Sequence, residues 1–227
     1  DSAGSLINAS GDEYIVWNDN AFDLLNTISV ENWQVGEWRR QIKQYGDEYF
    51  ILNGNYLAKL SADGTTIDNK YKQLPARNQA LAFDINNDKI LVSSEYKNSS
   101  QLLLWDGTTE GWQNIINFDF TIRALVSYKS GWLFMSQGTL YYTDGYNIDE
   151  LTTIDSKVDI DTFQIGYLEP TYFNGIYYYN KKLYFANSYN DSNLVHYGVY
   201  VYDFKNGWSV ISQNKGLNAI TLGGVPY

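Results

Sequence analysis

The chain has 227 residues, 44% apolar and 19% charged, enough to bury a core and too rich in Tyr (21), Phe (10) and Trp (7) for a disordered chain. Its formal net charge of -10 argues against a nucleic-acid backbone as partner, because that affinity draws on clustered Lys and Arg. Without cysteine there is no disulfide and no thiolate metal or redox chemistry, and no apolar run approaches the roughly 18 residues of a membrane span, so no membrane insertion is expected.

Residues 1–30 supply three strand-like runs, Leu6–Ala9, Tyr14–Trp17 ending at Asn18-Asp19, and Phe22–Leu25. In 38–74, Leu57–Leu60 leads through Ser61-Ala62 to Asp63-Gly64, and a second run follows from Ile67 to Leu74. In 77–117, Leu102–Trp105 meets Asp106-Gly107 and then Trp112–Ile116. In 121–154 a hairpin, Ala124–Tyr128 and Trp132–Met135 about Lys129-Ser130-Gly131, precedes Leu140–Thr143, Asp144-Gly145 and Ile148–Ile154. In 168–212 the same order returns: Ile176–Tyr179, Asn180-Lys181-Lys182, Leu183–Ala186, then Val199–Tyr202, Asp203 and Trp208–Ile211. The last run is Leu217–Leu222.

The aspartates at 19, 63, 106, 144 and 203 are 44, 43, 38 and 59 residues apart. Three of these intervals match a repeat of about 40 to 45 residues. Asp and Gly tolerate the positive φ of tight hairpins, so each phrase reads as two strands and their turn, and a second hairpin upstream makes four strands, A to D, per unit. Such units resemble the blades of the β-propeller superfamily. Residues 1–30 supply strands B, C and D without A, and Leu217–Leu222 reads as an A strand with nothing after it. This resembles propeller closure, in which the two termini share one blade and no sheet edge stays open. The expected fold is therefore all-β: a single domain, 1–227, forming a five-bladed propeller with blades at 38–74, 77–117, 121–154, 168–212, and 217–227 together with 1–30.

Antiparallel strands send the D-to-A and B-to-C connections to one end of each blade. Long segments are expected there: Val30–Glu37, Ser93–Ser100, Asp155–Glu169 and Ser188–Tyr197. All four arginines, Arg39, Arg40, Arg77 and Arg123, fall at the starts of A strands. The resemblance implies that A strands line a central channel, so Arg40, Arg77 and Arg123 are expected at its mouth, either receiving an anionic group such as a carboxylate or pairing with neighbouring Asp and Glu. Trp33, Tyr96, Tyr189, His196 and Tyr197, with Asp161 and Glu169, complete the expected ligand-binding set at this end, the aromatics as stacking or anchoring surfaces. Trp105, Trp112 and Trp208 read as packing between blades.

Catalytic motifs are sparse. One histidine, His196, with no G-x-S-x-G sequence gives no Ser-His-Asp arrangement and no His-based metal cluster. Asp84, Asn86, Asp88 and Glu95 have the spacing of a calcium loop, but Lys89 stands where its glycine belongs and a strand pattern follows. Asp155, Asp159 and Asp161 form a looser acidic loop. Five-bladed glycosidases resemble this architecture, which would make Asp119, Asp161 and Glu169 their acid, base or nucleophile. Ser61–Thr66 resembles a sialidase Asp-box with a spacer residue missing and no following Trp, and Trp105-Asp106 resembles the WD dipeptide without its Gly-His element. The expected function is non-catalytic recognition or scaffolding of a glycan or protein surface, with no cofactor and no metal. The alternatives are a propeller glycoside hydrolase or a purely structural module. Abundant Asn, Ser, Thr and Tyr with few charges, and a start at Asp1 without an initiator Met, lead to the expectation of a mature or excised domain displayed outside a cell or on a virion, part of a larger chain or assembly.

Overall fold

The computed structural model describes residues 6–10, 13–17, 24–29, 41–75, 78–96, 99–136, 139–153, 173–191, 194–212, 221–222 and 225–226. Every element among them is a β-strand. Strands β1 (Leu6–Ser10), β2 (Glu13–Trp17) and β3 (Leu24–Ser29) form a three-stranded sheet in that order. Four sheets of four antiparallel strands follow. The first holds β4 (Ile42–Tyr45), β5 (Glu48–Asn53), β6 (Tyr56–Leu60) and β7 (Ile67–Gln73). The second holds β8 (Gln79–Asn86), β9 (Lys89–Tyr96), β10 (Ser99–Trp105) and β11 (Asn114–Phe118). The third holds β12 (Val126–Tyr128), β13 (Gly131–Ser136), β14 (Thr139–Thr143) and β15 (Ile148–Thr153). The fourth holds β16 (Phe173–Tyr179), β17 (Lys182–Asp191), β18 (Leu194–Asp203) and β19 (Gly207–Ser212). A short hairpin, β20 (Thr221–Leu222) with β21 (Val225–Pro226), comes last. No helix among the described residues is long and apolar enough to cross a membrane.

The apolar runs are continuous because these sheets are buried on both faces, and successive residues of a strand point to opposite sides. In β10, Leu103 and Trp105 pack with Phe50, Leu57 and Phe83 between the first and second sheets, while Leu102 and Leu104 pack with Trp132 and Phe134 between the second and third. In β13, Trp132 and Phe134 face the second sheet, and Leu133 and Met135 join Ile176, Leu183 and Phe185 of the fourth. Trp105 lies in the first of these layers with Trp112 packed against it, and Trp208 packs against the third, which is the inter-blade role expected of all three. Burying a residue of this size contributes on the order of 2 to 3 kcal/mol.

Neighbouring sheets are also pinned along their first strands. Asp84 on β8 takes an ion pair from Lys43 on β4 at 3.1 Å and accepts the Ser127 N–H of β12 at 2.5 Å. The Gln41 side-chain oxygen accepts the Phe83 N–H at 2.9 Å.

Four sheets are four-stranded where five were expected. The C-terminal segment was read as one strand over Leu217–Leu222 with nothing after it; instead Thr221 pairs with Pro226 and Leu222 with Val225, so the chain folds back on itself. The reason is in the sequence between them, Gly223-Gly224, a dipeptide suited to a tight hairpin. Among the described residues β1 has β2 as its sheet partner and no fourth strand beside it.

Candidate functional site

The β4–β5 and β6–β7 turns and their counterparts lie at one end of the sheets, here the turn end. The connections within β5–β6 and between sheets lie at the other, the loop end. Of the expected ligand-binding set, Trp33, Arg40, Arg77, Asp161 and Glu169 lie outside the described residues, as do the whole of Val30–Glu37 and of Asp155–Glu169.

Arg123 is placed between β11 and β12 at the loop end. The backbone just before it is anchored to the second and third sheets: the Ser100 hydroxyl accepts the Ile122 N–H at 2.8 Å, the Ser93 hydroxyl donates to the Ile122 carbonyl at 2.7 Å, and the Ser136 hydroxyl donates to the Thr121 carbonyl at 3.4 Å. Its side chain is half-buried, and Nε is shielded from solvent with no hydrogen-bond partner. A buried guanidinium N–H without an acceptor is costly. On the opposite face of the second sheet, toward the first, lies a polar belt that sequence reasoning missed. The Asn78 amide donates to Gln101 Oε1 at 2.6 Å and Ser94 Oγ at 3.3 Å, and the Gln101 amide donates to Asn117 at 2.9 Å. The signal was a run of small polar residues, Ser93, Ser94, Ser99 and Ser100, within otherwise apolar strands.

The segments Ser93–Ser100 and Ser188–Tyr197, expected as loops, are strand for most of their length. Tyr96 ends β9 and pairs with Ser99. Tyr189 pairs with His196 and Ser188 with Tyr197 in a hairpin of two ten-residue strands. Alternating Tyr, Val and His suit a pleated ribbon, and backbone pairing outweighed the polar composition that suggested a loop. Among the described residues β16 pairs with β17 up to Asn187, and β19 with β18 up to Val199. Beyond those points β17 and β18 pair with each other, and among the described residues neither has a further strand on its outer edge.

At the turn end the recurring aspartates are structural anions. Asp106 Oδ1 accepts the N–H groups of Thr108 (2.9 Å) and Thr109 (2.8 Å) and both threonine hydroxyls, while Oδ2 accepts the Gln113 amide at 3.0 Å. Asp144 holds the N–H groups of Tyr146 and Asn147, Asp203 those of Lys205 and Asn206, and Asp63 that of Thr65. Hydrogen bonds to the charged form push all four carboxyls below their ordinary value; backbone N–H donors are the largest cause except at Asp63, where the Ser61 hydroxyl is. The calcium-like spacing is split by the β8–β9 hairpin: Asp84 lies opposite Leu91 and Glu95 opposite Gln79, and Asn86 donates to the Lys129 and Gly131 carbonyls. Among the described residues no three His, Cys, Asp or Glu side chains are grouped to hold a metal. Asp119 is exposed between β11 and β12.

Lys72, buried on β7, reaches into the next sheet. Its ammonium donates to the carbonyls of Thr109 (3.0 Å), Glu110 and Gly111 (3.5 Å) and sits 4.6 Å from the Trp105 ring and 5.1 Å from that of Trp112. Desolvation lowers its pKa.

No family model matches the chain, and no curated protein does. Solved structures do. The N-terminal domain of Nup159 superposes with a TM-score of 0.56 at 9% identity, covering 91% of this chain and 57% of that one. A protein of unknown function from Bacteroides caccae gives 0.56 at 12% identity, over 93% and 72%. The S. cerevisiae structure of Dbp5 bound to Nup159, Gle1, IP6 and ADP gives 0.52 at 8% identity, over 92% and 58%. The likeness supports a β-propeller. At this identity it reaches no further than the fold, and this chain spans less than three fifths of the Nup159 chains it matches.

Proposed function

We propose that this propeller is a non-catalytic recognition domain that binds a protein partner at its loop end. The observation that carries the reading is the β17–β18 ribbon, which extends beyond its pairing with β16 and β19, has no further strand beside it among the described residues, and includes Tyr189, His196 and Tyr197. Unpaired strand edges offer backbone hydrogen bonds to an added strand, and tyrosines give large contact area at little conformational cost. Arg123, half-buried at the loop end, is the cation that would meet a carboxylate on that partner, joined in this reading by Arg40 and Arg77. One structure similar to this chain holds Nup159 in a protein assembly, which supports a protein over a glycan as ligand. The reading places the domain outside a cell or on a virion, within a larger chain or assembly.

The test is affinity capture with the native chain and with a variant in which Ser188–Tyr197 is replaced by Asn-Gly, joining Asn187 to Gly198. The native chain is expected to retain a stoichiometric partner that the shortened one loses, with both melting at the same temperature. Equal capture would remove the ribbon from the site. Turnover of a glycoside panel, lost on Asp161→Asn or Glu169→Gln, would replace the reading with a hydrolase.

The fifth blade belongs to the same proposal, as β1–β3 completed by the C-terminal segment 217–227. In this cysteine-free chain, Ile7→Cys with Ile220→Cys is expected to form a disulfide on mild oxidation; two thiols that stay free would deny the closure.

A further inference from the structure

We propose that the junction between the third and fourth four-stranded sheets, at the turn end, is a second binding surface, built for an acidic segment of a protein partner. It lies at the opposite end from the ribbon and stands independently of it.

The first observation is an aromatic platform. The Tyr128 and Phe204 rings stack with centroids 4.9 Å apart and planes 4° from parallel, and Tyr178 meets them edge-on at 5.2 and 6.3 Å. Phe204 is 37% exposed and Tyr178 38%, so the stack is in reach of a partner. A stack held from two different sheets, with Tyr202 also edge-on to Phe204 at 5.1 Å, is rigid, and its exposed parts suit contact with an aromatic ring or a proline.

The second observation is the charge around it. Lys129 and Lys181 occupy left-handed positions in their hairpin turns, with φ of 50° and 62°. The corresponding turns of the first two sheets use Gly46, Asn87 and Asp88 there, residues that adopt this conformation readily. Lysine is a poor choice for turn geometry; Lys129 Nζ lies 5.0 Å from the Tyr128 ring, which holds one of these cations against the stack. Lys205, exposed, follows Phe204 directly.

The acid of the adjoining turn is engaged elsewhere. Asp203 is committed to its own turn through the N–H groups of Lys205 and Asn206 and the Asn206 amide, and its ion pair is with Lys182 at 3.5 Å. Among the described residues Lys129, Lys181 and Lys205 have no carboxylate partner. Three such cations beside an open aromatic stack, on a chain of net charge -10, complement Asp and Glu interspersed with an aromatic or proline residue.

The test is fluorescence anisotropy with a fluorescein-labelled peptide of repeating Glu-Glu-Tyr-Pro, against its Lys-Lys-Tyr-Pro counterpart and against heparin. The acidic peptide is expected to bind saturably and to weaken with salt. Combined Lys129→Glu, Lys181→Glu and Lys205→Glu is expected to cost at least about tenfold in affinity, and Phe204→Ala roughly fivefold. The variant lacking the β17–β18 ribbon is expected to bind as the native chain does, which separates this surface from the loop end. Should the triple variant melt early, Lys205→Gln alone reads the same contact without touching a strained turn. No saturable binding at millimolar peptide, equal binding by the lysine variants, or binding of heparin but not peptide would each overturn the proposal.

Discussion

Two junctions of this molecule begin from the same residue and end differently. Tyr45 and Tyr128 each close the first strand of a sheet, one residue before its hairpin turn, and each meets the aspartate turn of the next sheet. After Asp106 comes Gly107, at φ +82, and a β-carbon there would lie 2.7 Å from the Tyr45 ring. The ring therefore fits into the turn, and its hydroxyl donates to the Asp106 carbonyl at 2.7 Å and lies 3.1 Å from that of Asp88. After Asp203 comes Phe204 instead, and that turn takes its left-handed residue later, at Gly207 (φ 83). Tyr128 has no hole to enter, so it stacks on Phe204 and leaves an aromatic surface facing water. One side chain in a turn decides whether a junction is a sealed joint or a platform.

The comparison breaks most visibly if the sealed joint loses its hole. Gly107→Ala places a β-carbon against the Tyr45 ring in a conformation that disfavours it, and is expected to cost about 2 to 4 kcal/mol in urea denaturation. Phe204→Ala, which removes a partly exposed ring from its contacts with Tyr128, Tyr178 and Tyr202, is expected to cost only about 1 kcal/mol in the same assay. Lys72→Met strips the Thr109 to Gly111 carbonyls of the sealed joint of their donor, for an expected loss of about 2 kcal/mol. Tyr45→Phe removes one hydrogen bond and should cost about 1 kcal/mol, whereas Tyr128→Phe, which loses none among the described residues, should be silent.

The smallest effects are in pH. Burial first, then the Asp88 and Asp106 carboxylates, push the Tyr45 phenol above its ordinary 10.0. A raised folded value means that its contribution is fully present below pH 10 and is lost as pH rises through that value. Melting temperature against alkaline pH should show this in the native chain and not in Tyr45→Phe. The turn aspartates behave oppositely. Their folded values are depressed, so their contribution is present above the ordinary 3.8 and is lost as pH falls through the lower folded values. Asp106→Asn should flatten part of the acid limb of the melting curve.

The blade units were legible because their signals are local. Leu102–Trp105 announces a strand buried on both faces, and Asp106-Gly107 announces the turn that ends it. The ribbon was missed because Asn187–Asn193 has loop composition, while its strand pairing depends on Leu194–Tyr197 lying opposite. Of the arginines expected at the channel mouth only Arg123 is among the described residues, and its unpartnered Nε is a property of the packing around it that no spacing in the sequence reports. The exposed platform carried no motif at all, since nothing in Tyr128 or Phe204 alone distinguishes a platform from a core.

Period-two burial and turn chemistry act within a few residues, and through them the sequence by itself determined the strands, their pairing into four-stranded units and the aspartates that close them. The tertiary structure decided what each junction became, because Tyr45 finds its acceptor at Asp106, 61 residues away, and Tyr128 finds Phe204 in another sheet. Contacts across such separations depend on how whole sheets stack, and no local pattern encodes the shape of the neighbour that a side chain will meet.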